Sequence, residues 1–283
     1  EQIFEIVNHL NLGEVLIKDA EERQQLAILN LRAAEKALAS SGYSPAFAFA
    51  KTGLALLPDN CWSTNYSLSF DLYYSALESA YLTAEFDQME LWAALLLEKA
   101  RDDLDQVKVY EVKIQAAMAV NQPLKAIHLA LQVLAILGVD FPQTLSQQVV
   151  EAELRATVDE FAAYPVEDLL NLPEMTDPVD LAAMGVMNRI YSATYIAKPE
   201  LMILVSCRLA LLSLRKGNMP ISSFAYSAFG LVLCGLVGDI NLGHRFGELA
   251  LKVYDRYHLS QHKCRTYFMV NNFVWHWKRH LKE

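Results

Sequence analysis

Asp102, Asp103 and Asp105 are the residues of this chain whose type and spacing come nearest to metal chemistry. Two carboxylates one helical turn apart, as in the DDxxD motif of all-helical terpenoid synthases, hold Mg²⁺ on a diphosphate. Here Gln106 takes the last position of that motif, no second aspartate-rich motif occurs, and the segment falls between two predicted helices. The pattern therefore favours an exposed helix N-cap, and an enzyme of the helical synthase type is a distant alternative.

His276 and His280 are four residues apart, so on a helix both imidazoles share one face and offer a divalent metal two ligands. Two ligands alone rarely hold zinc, and the HExxH motif fails because Trp277 follows His276. The spacing is more typical of a basic amphipathic helix than of a metal site.

Other chemistry-bearing motifs are missing from the sequence. It contains no phosphate-binding glycine loop, no hydrolase nucleophile elbow and no kinase catalytic loop. The cysteines form no CxxC pair, which argues against a zinc knuckle or a disulfide framework, and they lie at Cys61, Cys207, Cys234 and Cys264. We therefore predict no catalytic, cofactor-binding or metal-binding residue in this chain.

The composition is that of an acidic chain with a large apolar core. The 283 residues carry 24 Lys+Arg against 33 Asp+Glu, a net charge of −9, and 53% of them are hydrophobic. The negative charge argues against nucleic-acid binding, which needs a basic face. The cysteine pattern favours a reducing cytoplasm. No signal peptide is visible, and apolar periodicity at both ends leads us to expect a segment of a larger polypeptide.

Residues 221–238 form an apolar run without a charged side chain. A run of this length is barely enough to cross a hydrocarbon core, and it contains three serines and three glycines. A helix buried on all sides within a helical array has the same sequence pattern. We predict a buried helix and no membrane insertion.

Apolar residues recur with helical periodicity along the whole chain, and no stretch alternates with the period of a strand. Helix starts are predicted at Ser44-Pro45, Gln122-Pro123 and Asp177-Pro178, while 216–220 is predicted to end a helix with an αL glycine. The predicted helices cover residues 2–10, 20–41, 44–57, 63–84, 86–101, 104–120, 123–137, 144–163, 178–197, 199–216, 221–237, 240–257 and 261–281. Their short connections predict consecutive αα-hairpins.

Small residues recur along the second helices of these hairpins, where they allow close helix packing. This spacing resembles the tetratricopeptide repeat (TPR). Ala46 and Ala126 are 80 residues apart, which corresponds to two units of about 40 residues, each longer than the usual repeat of about 34 residues. The predicted fold is all-α, a TPR-like superhelix of αα-hairpins (an α-α solenoid). The predicted repeat-packing residues are Ala46, Ala50, Gly53, Pro58, Ala93, Ala126, Ala130, Gly243, Gly247 and Ala250.

Charge is concentrated in two parts of the chain. Ten acidic residues and one basic residue, Arg155, lie between Asp140 and Asp180, together with four prolines. This pattern favours a solvated acidic face at a seam, with a docking surface for a basic partner as the alternative. The last helix is basic and carries an apolar stripe, which consists of Tyr267, Val270, Val274, Trp277 and Leu281. We predict that this stripe packs on helix 240–257 and that the helix continues as a connector.

Several strings resemble the helical middle region of very large bacterial signalling proteins. They are Phe4–Gly13, Asp105–Gln115, Gly138–Pro142, Tyr226–Gly230, Gly238–Ile240 with Gly243, and His276–Leu281. On these strings the chain resembles the multi-sensor signal transduction multi-kinases, a family abundant in cyanobacteria. Its members join a serine/threonine kinase domain, an AAA-like ATPase, this helical region, a GAF sensor and a histidine kinase. The resemblance covers essentially the whole chain, but it carries over no active-site residue because the strings are not catalytic motifs.

The resemblance implies a non-catalytic interdomain scaffold and protein-binding module, whose parent is a protein kinase with an ATPase module. The expected partners are other domains of the same polypeptide or a signalling protein, with no cofactor in this part. The alternative is a small-molecule sensor domain with an apolar cavity among helices 178–237. The expected organisation is 1–18 as the end of the ATPase-associated region, 19–143 as an N-terminal lobe, 144–177 as the acidic seam, and 178–283 as a C-terminal lobe ending in the connector helix.

Overall fold

Helices account for nearly all the regular structure of this chain. The computed structural model describes residues 2–257 and 260–279, and this part contains fourteen α-helices. No strand occurs among the described residues, where the extended contacts amount to an isolated bridge between Glu174 and Asn218. The helices pack against neighbours in chain order, as in an α-solenoid. The predicted all-α fold is confirmed.

The observed helix bounds follow the predicted ones closely. The α-helices are α1 Gln2–Leu12, α2 Ala20–Ala39, α3 Tyr43–Ala55, α4 Cys61–Thr64, α5 Tyr66–Leu82, α6 Phe86–Lys99, α7 Asp103–Ala119, α8 Pro123–Ile136, α9 Gln147–Ala162, α10 Pro178–Ala197, α11 Pro199–Lys216, α12 Ser222–Val232, α13 Ile240–Tyr257 and α14 Ser260–Met269. Short 3₁₀ helices cover Glu14–Leu16, Val166–Asn171 and Trp275–Trp277, and π-helical turns cover Leu233–Val237 and Val270–Val274.

The chain divides into two compact units, Glu1–Ala116 (unit 1) and Ala117–Glu283 (unit 2). This division lies inside the lobe expected for residues 19–143, and the expected seam at 144–177 lies wholly inside unit 2. The expected functional boundaries remain a prediction.

In unit 1, α2 packs on α3, α3 on α5, and α5 on α6. The contacts between α2 and α3 are close because small side chains meet there: Ala33, Ala34 and Ala50 are fully buried. Gly53 lies against the Leu72 side chain, so a larger residue would push α3 away from α5.

In unit 2, α10 packs between α8 and α11, and α12 packs on α11, α13 and α14. The core includes three mutually packed rings, with Phe161 and Phe229 each about 5 Å from Phe246 (5.2 and 5.1 Å between centroids). Helix α12, the start of the apolar run at 221–238, is buried almost throughout, as predicted. The prediction of a buried helix is wrong for the end of the run, where the chain forms the π turn Leu233–Val237 and Leu236 and Val237 are 56% and 41% exposed. In the part of the chain that is described, no helix combines the length and apolarity needed to cross a membrane.

The local geometry differs from the prediction at two helix ends, the start of α3 and the end of α11. Asp177 caps α10 as predicted, because its carboxylate accepts hydrogen bonds from the backbone N–H groups of Val179 and Asp180. Ser44 is not a cap: α3 starts one residue earlier, after Gly42, and no side chain caps it. Gly217 has a positive φ of 106° but an extended ψ of 174°, so it is not the predicted αL residue.

The prediction of one α-helix over 261–281 is wrong for its second half. Helix α14 ends at Met269, and the chain continues through the π turn and the 3₁₀ turn. Val270 and Val274 are buried beside Gly247 of α13, which agrees with the predicted packing on 240–257. The stripe stops there, because Trp277 is 47% exposed. Leu281, its last predicted member, lies outside the described residues.

Candidate functional site

The three aspartates of the candidate metal motif are placed for structural contacts. Helix α7 starts at Asp103, and the Asp102 carboxylate accepts the backbone N–H of Asp105 at 2.8 Å. The Asp105 carboxylate in turn accepts the Tyr66 hydroxyl at 2.5 Å. Burial and this hydrogen bond raise the pKa of Tyr66 to about 12. The geometry is that of a helix cap and a helix–helix contact, in agreement with the favoured interpretation.

The candidate histidine pair is placed only in part. His276 lies in the last 3₁₀ turn with its ring 5.1 Å from that of Trp277, and His280 lies outside the described residues. Among the described residues, no group of three or more His, Cys, Asp or Glu side chains is arranged to hold a metal ion.

The predicted repeat-packing residues lie on helix–helix contacts, with one exception. Pro58 is exposed in the loop after α3, and the other nine are buried. Gly243 lies against the backbone of Gly230 and Cys234, and Gly247 lies against Val274. Whether these positions define a true repeat remains a prediction.

We call residues 140–180 the acidic segment. Its carboxylates are not all unpaired, and they do not form only a solvated face. Three of its glutamates form ion pairs with arginines that come later in unit 2. The pairs are Glu153–Arg208 at 2.8 Å, Glu160–Arg215 at 2.7 Å and Glu167–Arg245 at 2.6 Å. Hydrogen bonds from Arg215 and Arg245 lower the pKa of both Glu160 and Glu167, the latter to about 2. The basic partner of this face is therefore, for these three residues, the same polypeptide.

The segment after the 3₁₀ helix 166–171 is held by Asn218, a residue for which the sequence predicted only a turn. Its side-chain amide donates to the Leu169 carbonyl at 2.7 Å, and its amide oxygen accepts the Tyr226 hydroxyl at 2.9 Å. Its backbone carbonyl accepts the Met175 N–H and the Tyr257 hydroxyl, both at 2.8 Å. The sequence shows only an asparagine after Gly217, and its partners are too distant in the chain to be predicted from a pattern.

Residues 6–16 of unit 1 leave a run of large apolar side chains exposed. Leu12, Val15 and Leu16 are 83%, 72% and 81% exposed, and Ile6 and Leu10 are exposed as well. Most exposed apolar residues are isolated along a chain, whereas five within eleven residues is a density that favours a docking surface. We call residues 6–16 the apolar segment.

A cavity of about 240 Å³ opens between α10, α12 and α14 in unit 2. Its lining is mainly aromatic and aliphatic, and it includes Tyr191, Tyr195, Phe224, Phe273 and the side chain of Arg265. The sensor alternative placed a cavity among helices 178–237, and the observed cavity uses two of those helices and adds α14.

Arg265 is the one charged residue in the lining of this cavity. Its guanidinium lies 3.8 Å from the Phe224 ring centroid, and its Nη1 donates to the backbone and side-chain oxygens of Asn188 at 3.0 and 2.6 Å. Its Nη2 is buried and has no hydrogen-bond partner among the described residues. Burial lowers the pKa of Arg265 to about 10, and the nearby Tyr191 opposes this effect only in part.

Comparison with known proteins adds a signalling context. The chain is 22% identical, over 309 residues and 99% of its own length, to the hybrid signal transduction histidine kinase G of Dictyostelium discoideum. It spans only 9% of that protein. No protein-family model matches the chain, and no solved structure matches it. The similarity supports a signal-transduction kinase context and is too distant to place the chain in the multi-sensor multi-kinase family.

Proposed function

We propose that this chain is a non-catalytic helical module of a signal-transduction kinase, in which it serves as an interdomain scaffold and docks neighbouring parts of the same polypeptide. The end-to-end similarity to one stretch of a hybrid histidine kinase supports this context. A packed helical array suits such a role because it presents long surfaces without needing catalytic groups. The cytoplasm is the location proposed with it.

The observation that carries the docking role is the apolar segment. Leu12, Val15 and Leu16 are 83%, 72% and 81% exposed, more than the other exposed aliphatic side chains of unit 1 such as Leu91. By the resemblance, this segment adjoins an ATPase module, so the adjoining module is the proposed occupant. Covering these side chains removes apolar surface from water, which is the usual source of stability at an interdomain contact.

The test compares two exposed apolar positions of unit 1 in the complete polypeptide that contains this chain. The double variant Leu12→Asp/Leu16→Asp places charges in the apolar segment, and Leu91→Asp places one on α6, where Leu91 is 66% exposed. We expect autophosphorylation and cross-linking to the preceding module to fall in the double variant and to persist in Leu91→Asp. Unchanged cross-linking and kinase output in a folded double variant would show that the segment is not the docking surface.

A second candidate function is small-molecule sensing, which the cavity in unit 2 favours. It differs from the scaffold role in needing a ligand with defined chemistry. The two roles use different units of the chain, and a sensor in unit 2 does not exclude a docking surface in unit 1.

A further inference from the structure

A groove between α1 and the start of α2 combines an apolar floor with an acidic rim. It lies in unit 1, has a volume of about 630 Å³ and shares Leu10 with the apolar segment. Its apolar lining comes from both helices and from the link between them, and it consists of Leu10, Ile17, Leu26 and Leu29. We call it the α1–α2 groove.

The rim of this groove carries three exposed carboxylates, Asp19, Glu21 and Glu22. In the described part of the chain none of them forms an ion pair. Arg23, the next base along α2, pairs with Glu14 at 3.5 Å, and Lys18 lies outside the lining. The groove therefore differs from the acidic segment of unit 2, where arginines of the same chain pair with three of the glutamates.

Part of this acidic pattern stabilises α2 itself. The Asp19 carboxylate accepts the backbone N–H groups of Glu21 and Glu22 at 2.9 and 3.0 Å, and the helix dipole favours carboxylates in a first turn. Among the described residues, these carboxylates are in no group arranged to hold a metal ion. Lysine and arginine are cations that suit this rim, because their apolar stems can lie on an apolar floor while their charged ends reach the carboxylates.

The shape of the groove indicates the form of its occupant. Its α2 wall is one helix face, with Glu22, Gln25, Leu26 and Leu29 at i, i+3, i+4 and i+7, so it runs for about 10 Å, or two turns. Its volume is about four times that of a cavity that holds benzene, which is room for several side chains in a row. An extended peptide would set unpaired backbone groups against this apolar floor, whereas a helix pairs these groups within itself.

We propose that the α1–α2 groove binds an amphipathic helix, whose apolar stripe packs on Leu10, Leu26 and Leu29 and whose lysines or arginines pair with Glu21 and Glu22. This inference rests on the proposed docking role of the apolar segment and names the chemistry of the occupant. The apolar floor supplies the burial, and the unpaired rim selects a basic helix over an acidic one.

The first experiment measures the binding of fluorescent peptides of about 18 residues to the chain by fluorescence anisotropy. One peptide has leucines at helical spacing with lysines beside them, a second replaces the lysines with glutamates, and a third scrambles the leucine stripe of the first. We expect the lysine peptide to bind about tenfold more tightly than either of the others, and less tightly as salt is raised. Equal affinity for the lysine peptide and either other peptide, or no binding at submillimolar concentration, would overturn the proposal.

Charge variants assign the binding to this groove. Glu21→Gln/Glu22→Gln removes two carboxylates of the rim and keeps the Asp19 cap. Affinity for the lysine peptide should fall about three- to tenfold, and its advantage over the glutamate peptide should narrow. The control, Glu35→Gln/Asp59→Asn, makes the same change in net charge at exposed carboxylates outside the lining and should leave both affinities unchanged.

A second pair of variants tests the apolar floor. Leu10→Ser removes apolar surface from the groove, so affinity for the lysine peptide should fall about fivefold. Leu91→Ser removes a leucine of α6 that is more exposed, 66% against 39%, and it should have no effect. Unchanged affinity in folded Leu10→Ser or Glu21→Gln/Glu22→Gln would place the peptide elsewhere and contradict the proposal.

These results can be separated from the test of the docking role. Peptide binding uses the chain by itself, whereas cross-linking of Leu12→Asp/Leu16→Asp uses the complete polypeptide. If the peptides bind alike and cross-linking is still lost in that variant, the docking role stands and the basic helix is wrong. If light scattering shows a dimer that Glu21→Lys/Glu22→Lys separates, the groove belongs to a second copy of the chain and the proposal also fails.

Discussion

Asn218 forms hydrogen bonds with several polar groups of unit 2 through its side chain and its backbone carbonyl. Tyr226 is fully buried, and its burial raises the pKa of its hydroxyl, so the group stays protonated as a donor to Asn218. Tyr257 donates to the backbone carbonyl of the same residue, which also accepts from Met175. The two tyrosines therefore make bonds of similar length whose loss has different consequences.

We expect Tyr226→Phe to destabilise the chain by about 1–3 kcal/mol, because it leaves the buried amide oxygen of Asn218 without a donor. Tyr257→Phe should have a clearly smaller effect, because the Asn218 carbonyl keeps its bond to Met175. The free energy of unfolding, from urea denaturation followed by circular dichroism, measures both. Equal losses in the two variants would mean that the amide oxygen finds another partner.

At the scale of helices, the approach of α12 to α13 depends on glycine. A Cβ built on Gly243 would lie 2.9 Å from the Gly230 carbonyl oxygen and 3.2 Å from the Cys234 nitrogen, and it would collide with the Cys234 sulfur. Two of these atoms are backbone, so the helices themselves would have to separate. Gly235, in the π turn Leu233–Val237 that follows α12, would meet nothing within 4 Å.

This difference gives a matched pair of substitutions. Gly243→Ala should destabilise the chain by about 1–3 kcal/mol through overpacking. Gly235→Ala makes the same chemical change in open space, and its effect should stay within about 1 kcal/mol of neutral. Thermal and urea unfolding of both proteins measure the difference. If Gly243→Ala is as stable as Gly235→Ala, close packing at this crossing is not required.

Helix positions were predictable from the sequence because their signals are local. The apolar period and the Asp177-Pro178 cap place α10 at its observed bounds. The 3₁₀ helix 166–171 and the π turn after Met269 were not predictable, because they depend on partners far along the chain. Arg256, for example, donates to the Leu170 carbonyl across 86 residues. The cavity between α10, α12 and α14 depends on helices distant in sequence, and no spacing rule marks it.

The molecule as a whole has a net charge of −9, but some of its negative side chains are paired with arginines within unit 2. Three glutamates, Glu153, Glu160 and Glu167, pair with arginines of α11 and α13, so part of the acidic excess stabilises unit 2. The folded-state pKa values of Glu160 and Glu167 lie below the ordinary value of 4.5. The unfolded chain therefore takes up these protons first as the pH falls. The stabilisation is complete above pH 4.5 and is lost as the pH falls toward 2.

We expect Glu160→Gln/Glu167→Gln to lower the melting temperature at pH 7 and the difference from the unmodified chain to shrink steadily below pH 4.5. The control, Glu35→Gln/Asp159→Asn, makes the same change in charge at exposed carboxylates that form no ion pair with described residues. It should show no such convergence. Melting curves by circular dichroism between pH 2 and pH 7 measure both, and parallel curves for the two double variants would contradict the role of the ion pairs.

The contacts of the acidic segment also set an order of events during synthesis. Glu167 pairs with Arg245, which lies 78 residues later in the chain. The Leu170 carbonyl accepts a hydrogen bond from Arg256, which lies 86 residues later. While the ribosome is still making α11, the segment has emerged without most of its partners, and the side chains of Phe161 and Leu169 have no complete core to enter. Its contacts with Arg245 and Arg256 must therefore wait until α13 has left the exit tunnel, since long-range contacts cannot form before both sides exist. Nascent chains arrested before residue 245 should expose this segment to chaperones, and emergence of α13 and of the residues that follow it should close unit 2 in a single late step.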